Sequence, residues 1–340
     1  MKIRVEVLAG QAYNQRQNSG RHGWRVAPTQ PSSYTAINIP ERGLTMNRHD
    51  PSEARSPCPS VLCVFLTLCL TACSSSVGPP KGAGVDYQQA KITFKQGNLD
   101  RALSLTDAMA ESKVDSRETF KARVLRAIIY SGRIDAYRQM ADTYKKGSSI
   151  ATKSRTVTSY NRRRSNALQY GGEAALSLGE VIMQLTSKPD FPKEFTLDAP
   201  WPDVEGPKVI DAFARIQRGA WVPEAAQDSA GVDVQHKGTA DVLAELLGGD
   251  RSKARAALEA GAVKLNGLDF ALFLERKMVD GIELFGPKYL ANPGQLKTLC
   301  DVTARLGPPI EAMLKEKPDK TKEAEFDKAQ KQIKDAGKYT

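Results

Sequence analysis

Protein chemistry runs mostly through thiols, imidazoles, carboxylates and clustered cations, and this 340-residue chain distributes all four unevenly. Cys58, Cys63, Cys69 and Cys73 crowd in or beside one apolar run, while Cys300 stands alone far downstream. Thiols packed into such a run do not make a disulfide framework. If the chain is cut before Cys73, only Cys73 and Cys300 remain, no internal disulfide can form, and stability must come from packing. His236 is the only histidine that follows Cys73. Read as part of a polar surface loop (VQHKG), it supplies no zinc ligand set, and without a Gly-x-Ser-x-Gly elbow it points to no Ser-His-Asp triad. The residues therefore indicate no catalytic group, no metal and no cofactor. Carboxylates are plentiful, so a carboxylate-dependent envelope enzyme acting on glycans is an alternative, although spacing singles out no pair.

Cations give a stronger signal. Lys145, Lys146, Lys153, Arg155, Arg162, Arg163 and Arg164 follow one another with no acidic residue among them, flanked by Tyr144 and Tyr160. Such a segment suits lipid phosphate, an acidic partner protein or a polyanion. Trp201 and Trp221 flank a helical stretch and are candidates for lining a groove that takes a peptide or small ligand. The net charge of +10 is less informative: residues 1–72 contribute +4 of it, and the mild excess left over fits a lysine-rich surface.

The apolar run 61–70, VLCVFLTLCL, is too short to cross a membrane, which takes roughly twenty residues, but has the length of a secretory signal core. It ends in Leu70-Thr71-Ala72-Cys73, which resembles the bacterial lipobox. That resemblance implies cleavage before Cys73, a diacylglycerol thioether on its sulfur, and a lipid-anchored mature protein. Met46 would supply a leader of ordinary length, so 46–72 is read as the signal peptide and 1–45 as an untranslated or disordered extension. After Cys73 comes SSSVGPPKGAG, a Ser/Gly/Pro tether (73–84) that reaches roughly 35 Å at about 3.3 Å per residue. Ser74 in the position after the cysteine implies, by the same resemblance, the outer membrane and its periplasmic face.

Beyond Val85 apolar residues recur at three- and four-residue spacing, which predicts an all-α fold. Phe120, Val124 and Ile128 line one helix face, with Asp115 and Glu118 as its capping pair; Leu178, Ile182 and Leu185 line another. Glycines 97, 132, 249 and 307 fall where helix-helix turns are expected. Gly97-Asn98-Leu99-Asp100-Arg101-Ala102 and Gly132-Arg133-Ile134-Asp135-Ala136-Tyr137 stand about 35 residues apart, close to the roughly 34-residue tetratricopeptide period. With Ala90, Phe94 and Ala102 in place, 85–147 resembles degenerate tetratricopeptide repeats, which implies an array of antiparallel helix hairpins, a TPR-like α-solenoid.

Residues 148–316 are expected to continue with helical hairpins: a polar cationic stretch, a helix from about 165 to 187, a Pro-rich connection (188–207) pinned by Phe191, Phe195 and Trp201, then more helix pairs. Residues 317–340 read as a charged terminal helix or tail, docked by Phe326 and Ile333. The stretch 250–267 resembles the core of a small RNA-binding module found in tyrosyl-tRNA synthetase and some ribosomal proteins. The following LDFALFLERKMVDGIELF reads as helix where that module needs strands, and an exported chain meets little RNA, so no nucleic-acid partner is expected. The sequence thus points to a periplasm-facing lipoprotein that binds or scaffolds an unidentified envelope protein or ligand through a helical surface. An accessory helical component of a periplasmic solute transport system is a related expectation.

Overall fold

The computed structural model describes residues 83–112, 114, 116–187, 191–203 and 207–340, all within one packing unit, Ala72–Thr340. The expected extension, the signal peptide, Cys73, the lipobox residues Leu70, Thr71 and Ala72, and the capping residue Asp115 lie outside the described residues.

Helix α1 (Ala83–Lys95) begins inside the stretch read as tether and pairs with α2 (Leu99–Ala110). Gly97 turns the chain between them at φ +77°, a conformation that only glycine adopts without strain, and Asn98 caps α2 by accepting from the Arg101 N–H. Ala90, Phe94 and Ala102 are fully buried. The first expected hairpin is therefore present.

The second expected hairpin is not. Helix α3 (Arg117–Ile150) passes through Gly132 without a break, capped at its start by Ser116. Gly132 serves contact rather than a turn: a Cβ there would sit 2.6 Å from Cα of Thr239 in α6 (Glu224–Leu246). A glycine inside a helix costs about 1 kcal/mol in propensity, and the close crossing it permits offsets that loss. Helix α4 (Ser154–Leu185) returns beside α3 after a short turn, starting well before the expected position near 165. Thr156, Tyr160, Ala167 and Leu168 are buried at helical spacing, a stripe that cationic neighbours obscure in the sequence. His236 also departs from expectation. It lies in α6 rather than in a loop, and its Nε2 is 2.5 Å from the Gly97 carbonyl oxygen, beneath the α1–α2 turn.

The described part of the Pro-rich connection, 191–203, packs over the helices as a strap, but it carries a strand that the all-α reading lacked. Strand β1 (Glu194–Leu197) pairs antiparallel with β2 (Val263–Asn266), with Glu194 opposite Asn266 and Leu197 opposite Val263. Four residues are too few for alternation to register in a sequence. Phe195 sits edge-on to Phe120 at 5.1 Å and to Phe270 at 5.0 Å, and each such pair adds about 1 kcal/mol beyond burial. Asp198 binds Lys91 at 2.5 Å and Lys121 at 3.2 Å; burial opposes its charge, but the two ammonium groups outweigh it and hold the carboxyl below its ordinary range.

Helix α5 (Pro207–Gln217) precedes α6, and α7 (Arg251–Ala260) leads into β2 and the long α8 (Gly267–Phe285). Gly248 and Gly249, both at positive φ, end α6 near the expected turn. Nearly every residue of α8 is buried, so it is the central core helix. Helices α9 (Pro293–Thr303), α10 (Gly307–Glu316) and α11 (Lys320–Ala336) close the far side, with Phe326, Ala329 and Ile333 of α11 buried. Residues 268–285 are helical, as expected.

Candidate functional site

The sequence-derived cations lie along the end of α3 and the start of α4, and a second acid-free segment, 212–223, joins them there. Two glycines allow the approach. A Cβ on Gly147 would lie 2.5 Å from the Ile216 carbonyl oxygen, and one on Gly219, at φ +72°, would lie 2.8 Å from the Ala151 nitrogen. Backbone therefore rests on backbone where the α3–α4 turn meets the α5–α6 turn. A small aromatic core backs the junction: Tyr144 lies 5.7 Å from Tyr160 and 6.4 Å from Phe213, with Ile216 and Val222 buried in the same cluster. The Tyr160 hydroxyl donates to the Ala220 carbonyl, and burial pushes the Tyr144 hydroxyl up to about 12 and raises that of Tyr160 as well.

On the outside of this corner Lys145, Lys146, Lys153 and Arg155 are exposed, joined by Arg215 and Arg218 of the second segment. The Arg155 guanidinium stacks over the Trp221 ring at 5.4 Å, and Arg215 donates to the Trp221 carbonyl at 3.4 Å. Ile150 and Trp221, at the two turns, remain 49% and 36% exposed, a substantial exposure for residues so large and apolar. Helix α4 opens with Lys153 at its N-cap, no side-chain cap bond and no acidic residue in its first turn. A cation at a helix N-terminus is locally unfavourable, because the helix dipole is already positive there.

Not every expected residue belongs to the corner. Arg162 pairs with Glu224 at 2.8 Å and Arg163 pairs with Asp228, so α6 supplies acids that the α4 segment lacks. Arg164 is half-buried. Trp201, itself part of the strap, packs on the main core, and the neighbouring Asp203 N–H donates to the Lys95 carbonyl at 2.7 Å. Trp201 and Trp221 thus serve different parts of the body. Arg215, Arg218 and Ile150 went unread in the sequence; the absence of any acid from 212 to 223 was the available signal.

A polar cleft of about 440 Å³ adjoins along α3, lined by Asp135, Arg138, Gln139, Asp142, Thr143, Lys146 and Gln217. Its deeper charges are spoken for. Lys277 of α8 binds Asp135 at 2.8 Å and Glu245 at 2.7 Å; burial works against its charge, and the two carboxylates outweigh it. Arg138 binds Asp280 at 2.6 Å and Glu283 at 2.9 Å. Glu275, fully buried on α8 and not among the residues lining the cleft, accepts from Gln330 at 2.6 Å through one oxygen while the other finds no partner among the described residues, and burial pushes its carboxyl up to about 7.

Among the described residues no group of three His, Cys, Asp or Glu is placed to hold a metal, and no helix is long and apolar enough to cross a membrane. No protein-family model matches the chain, and neither a curated protein nor a solved structure matches it.

Proposed function

We infer that the chain is a lipid-anchored binding module of the bacterial cell envelope, held through Cys73 on the periplasmic face of the outer membrane and binding through the cationic corner. The anchor rests on the sequence: an apolar run of signal length, Leu70-Thr71-Ala72-Cys73, then a Ser/Gly/Pro tether. The binding role rests on one structural observation. Two acid-free segments, about sixty residues apart in the chain, meet at the α3–α4 and α5–α6 turns and leave Lys145, Lys146, Lys153, Arg155, Arg215 and Arg218 exposed around Trp221. Lys145, Lys153, Arg155, Arg215 and Arg218 have no ion-pair partner among the described residues, so an anionic ligand at this corner lowers their mutual repulsion.

Metabolic labelling with a palmitate analogue, followed by fractionation, tests the anchor. Wild-type protein takes the label and sediments with membranes, whereas Cys73→Ala takes none. Label retained by Cys73→Ala overturns the assignment.

A further inference from the structure

We propose that the cationic corner docks on the anionic headgroup surface of a phospholipid bilayer, giving the body a second, reversible membrane contact. This rests on reading the corner as a binding surface and adds the identity of what it binds.

Charge alone would suit an acidic protein equally well; the placement of the apolar residues favours the bilayer. Ile150, the last residue of α3, lies between Lys146 and Lys153, and Trp221 in the adjoining α5–α6 turn carries Arg155 over its ring and Arg215 on its carbonyl, while Glu224 beyond it is paired with Arg162, so each exposed apolar side chain has cations beside it. Such an edge is amphipathic at the scale of the membrane interface: aliphatic and indole groups enter the headgroup region while lysine and arginine stay at phosphate level. Tryptophan suits that boundary because its ring is apolar and its N–H polar. The turns are also braced from behind by Tyr144, Tyr160 and Phe213 and by the close backbone contact at Gly219, so docking requires little ordering. Arg162 and Arg163, already paired with Glu224 and Asp228, contribute less net charge than Lys145, Lys153 and Arg218, which have no ion-pair partner among the described residues.

The test uses full-length Cys73→Ala protein, which lacks the acceptor thiol, and phosphatidylcholine vesicles with or without phosphatidylglycerol. Co-sedimentation at low and high salt reads binding. Docking through the corner gives binding that requires phosphatidylglycerol, disappears at high salt, and weakens at least roughly 25-fold in Lys145→Glu/Lys153→Glu, at roughly fivefold per cation lost before the added negative charge counts. Arg218→Glu, on the other turn, weakens it at least roughly fivefold. Brominated lipid quenches the tryptophan emission of the parent protein, and the quenching is lost in Trp221→Phe. Binding that persists at high salt, is equal on both vesicle types, or is unchanged in Lys145→Glu/Lys153→Glu overturns the proposal. Capture on immobilised polyglutamate without vesicle binding overturns it too, in favour of an acidic protein. None of these outcomes depends on whether Cys73 is acylated in the cell, which the labelling experiment reads separately.

Discussion

Gly132 of α3 and Gly238 of α6 meet face to face, so close that a Cβ on Gly238 would collide with the Gly132 carbonyl oxygen. The glycine that ought to break a helix is the one that lets two helices touch. Gly132→Ala would place a methyl group 2.6 Å from Cα and 2.7 Å from the nitrogen of Thr239, against backbone that has little room to give. Alanine at an exposed helix position would stabilise by about 1 kcal/mol; here overpacking prevails, and a net loss of about 1–3 kcal/mol is expected in denaturant melts. An unchanged or raised midpoint would show that the two helices are not in contact.

The buried Lys277 bridges Asp135 of α3 and Glu245 of α6 from α8, so it ties three helices together. Lys277→Met keeps much of the volume but strands Asp135, whereas Glu245 keeps Arg276 at 3.2 Å. Leaving one partly exposed carboxylate without its partner costs about 1–3 kcal/mol, read as a lower denaturation midpoint. A second change, Asp135→Asn, should recover part of that loss by removing the stranded charge; if it adds to the damage instead, the bridge is not the source.

Glu275 gives the fold a pH dependence of calculable sign. Its carboxyl is raised from 4.5 to about 7 by burial, with Gln330 and Arg276 opposing. Below pH 4.5 both folded and unfolded chains carry the proton and the group costs nothing. As pH rises toward 7 the unfolded chain ionises first, so stability falls, and it levels off above that value. The full loss is on the order of 3 kcal/mol. Glu275→Gln, which can still accept from Gln330, should be the more stable protein at pH 8 and nearly equal to wild type at pH 4. Parallel pH profiles for the two proteins would contradict this.

Tyr160 joins α4 to the α5–α6 turn through its bond to the Ala220 carbonyl. Tyr160→Phe keeps the ring contact with Tyr144 but removes that bond, for an expected cost of about 1 kcal/mol. Because Trp221 is the next residue, its emission should shift to longer wavelength as the turn loosens. A stability loss with unchanged emission would mean that the corner is held by packing alone.

Much of the scaffold is legible in the sequence because it depends on local rules. Gly97 and Gly249 mark real helix ends, Phe191, Phe195 and Trp201 do hold the strap, and Phe326 and Ile333 do dock the last helix. Contacts between distant segments decided the rest. Gly132 looks like a turn unless Thr239 is known to lie against it, and the buried stripe of α4 is hidden because Arg162 and Arg163 find their acids sixty residues away in α6. The strands were too short to show a period. Half of the corner was visible as an acid-free cationic run; the other half, Arg215 and Arg218, carried too few charges to be noticed before the fold placed it alongside.

The anchoring claim is tested most directly by the intact mass of protein extracted from native membranes. Acylation at Cys73 gives a chain that starts at that residue and carries the mass of its fatty chains. An unmodified Cys73 inside an uncut polypeptide would contradict both the anchor and the compartment.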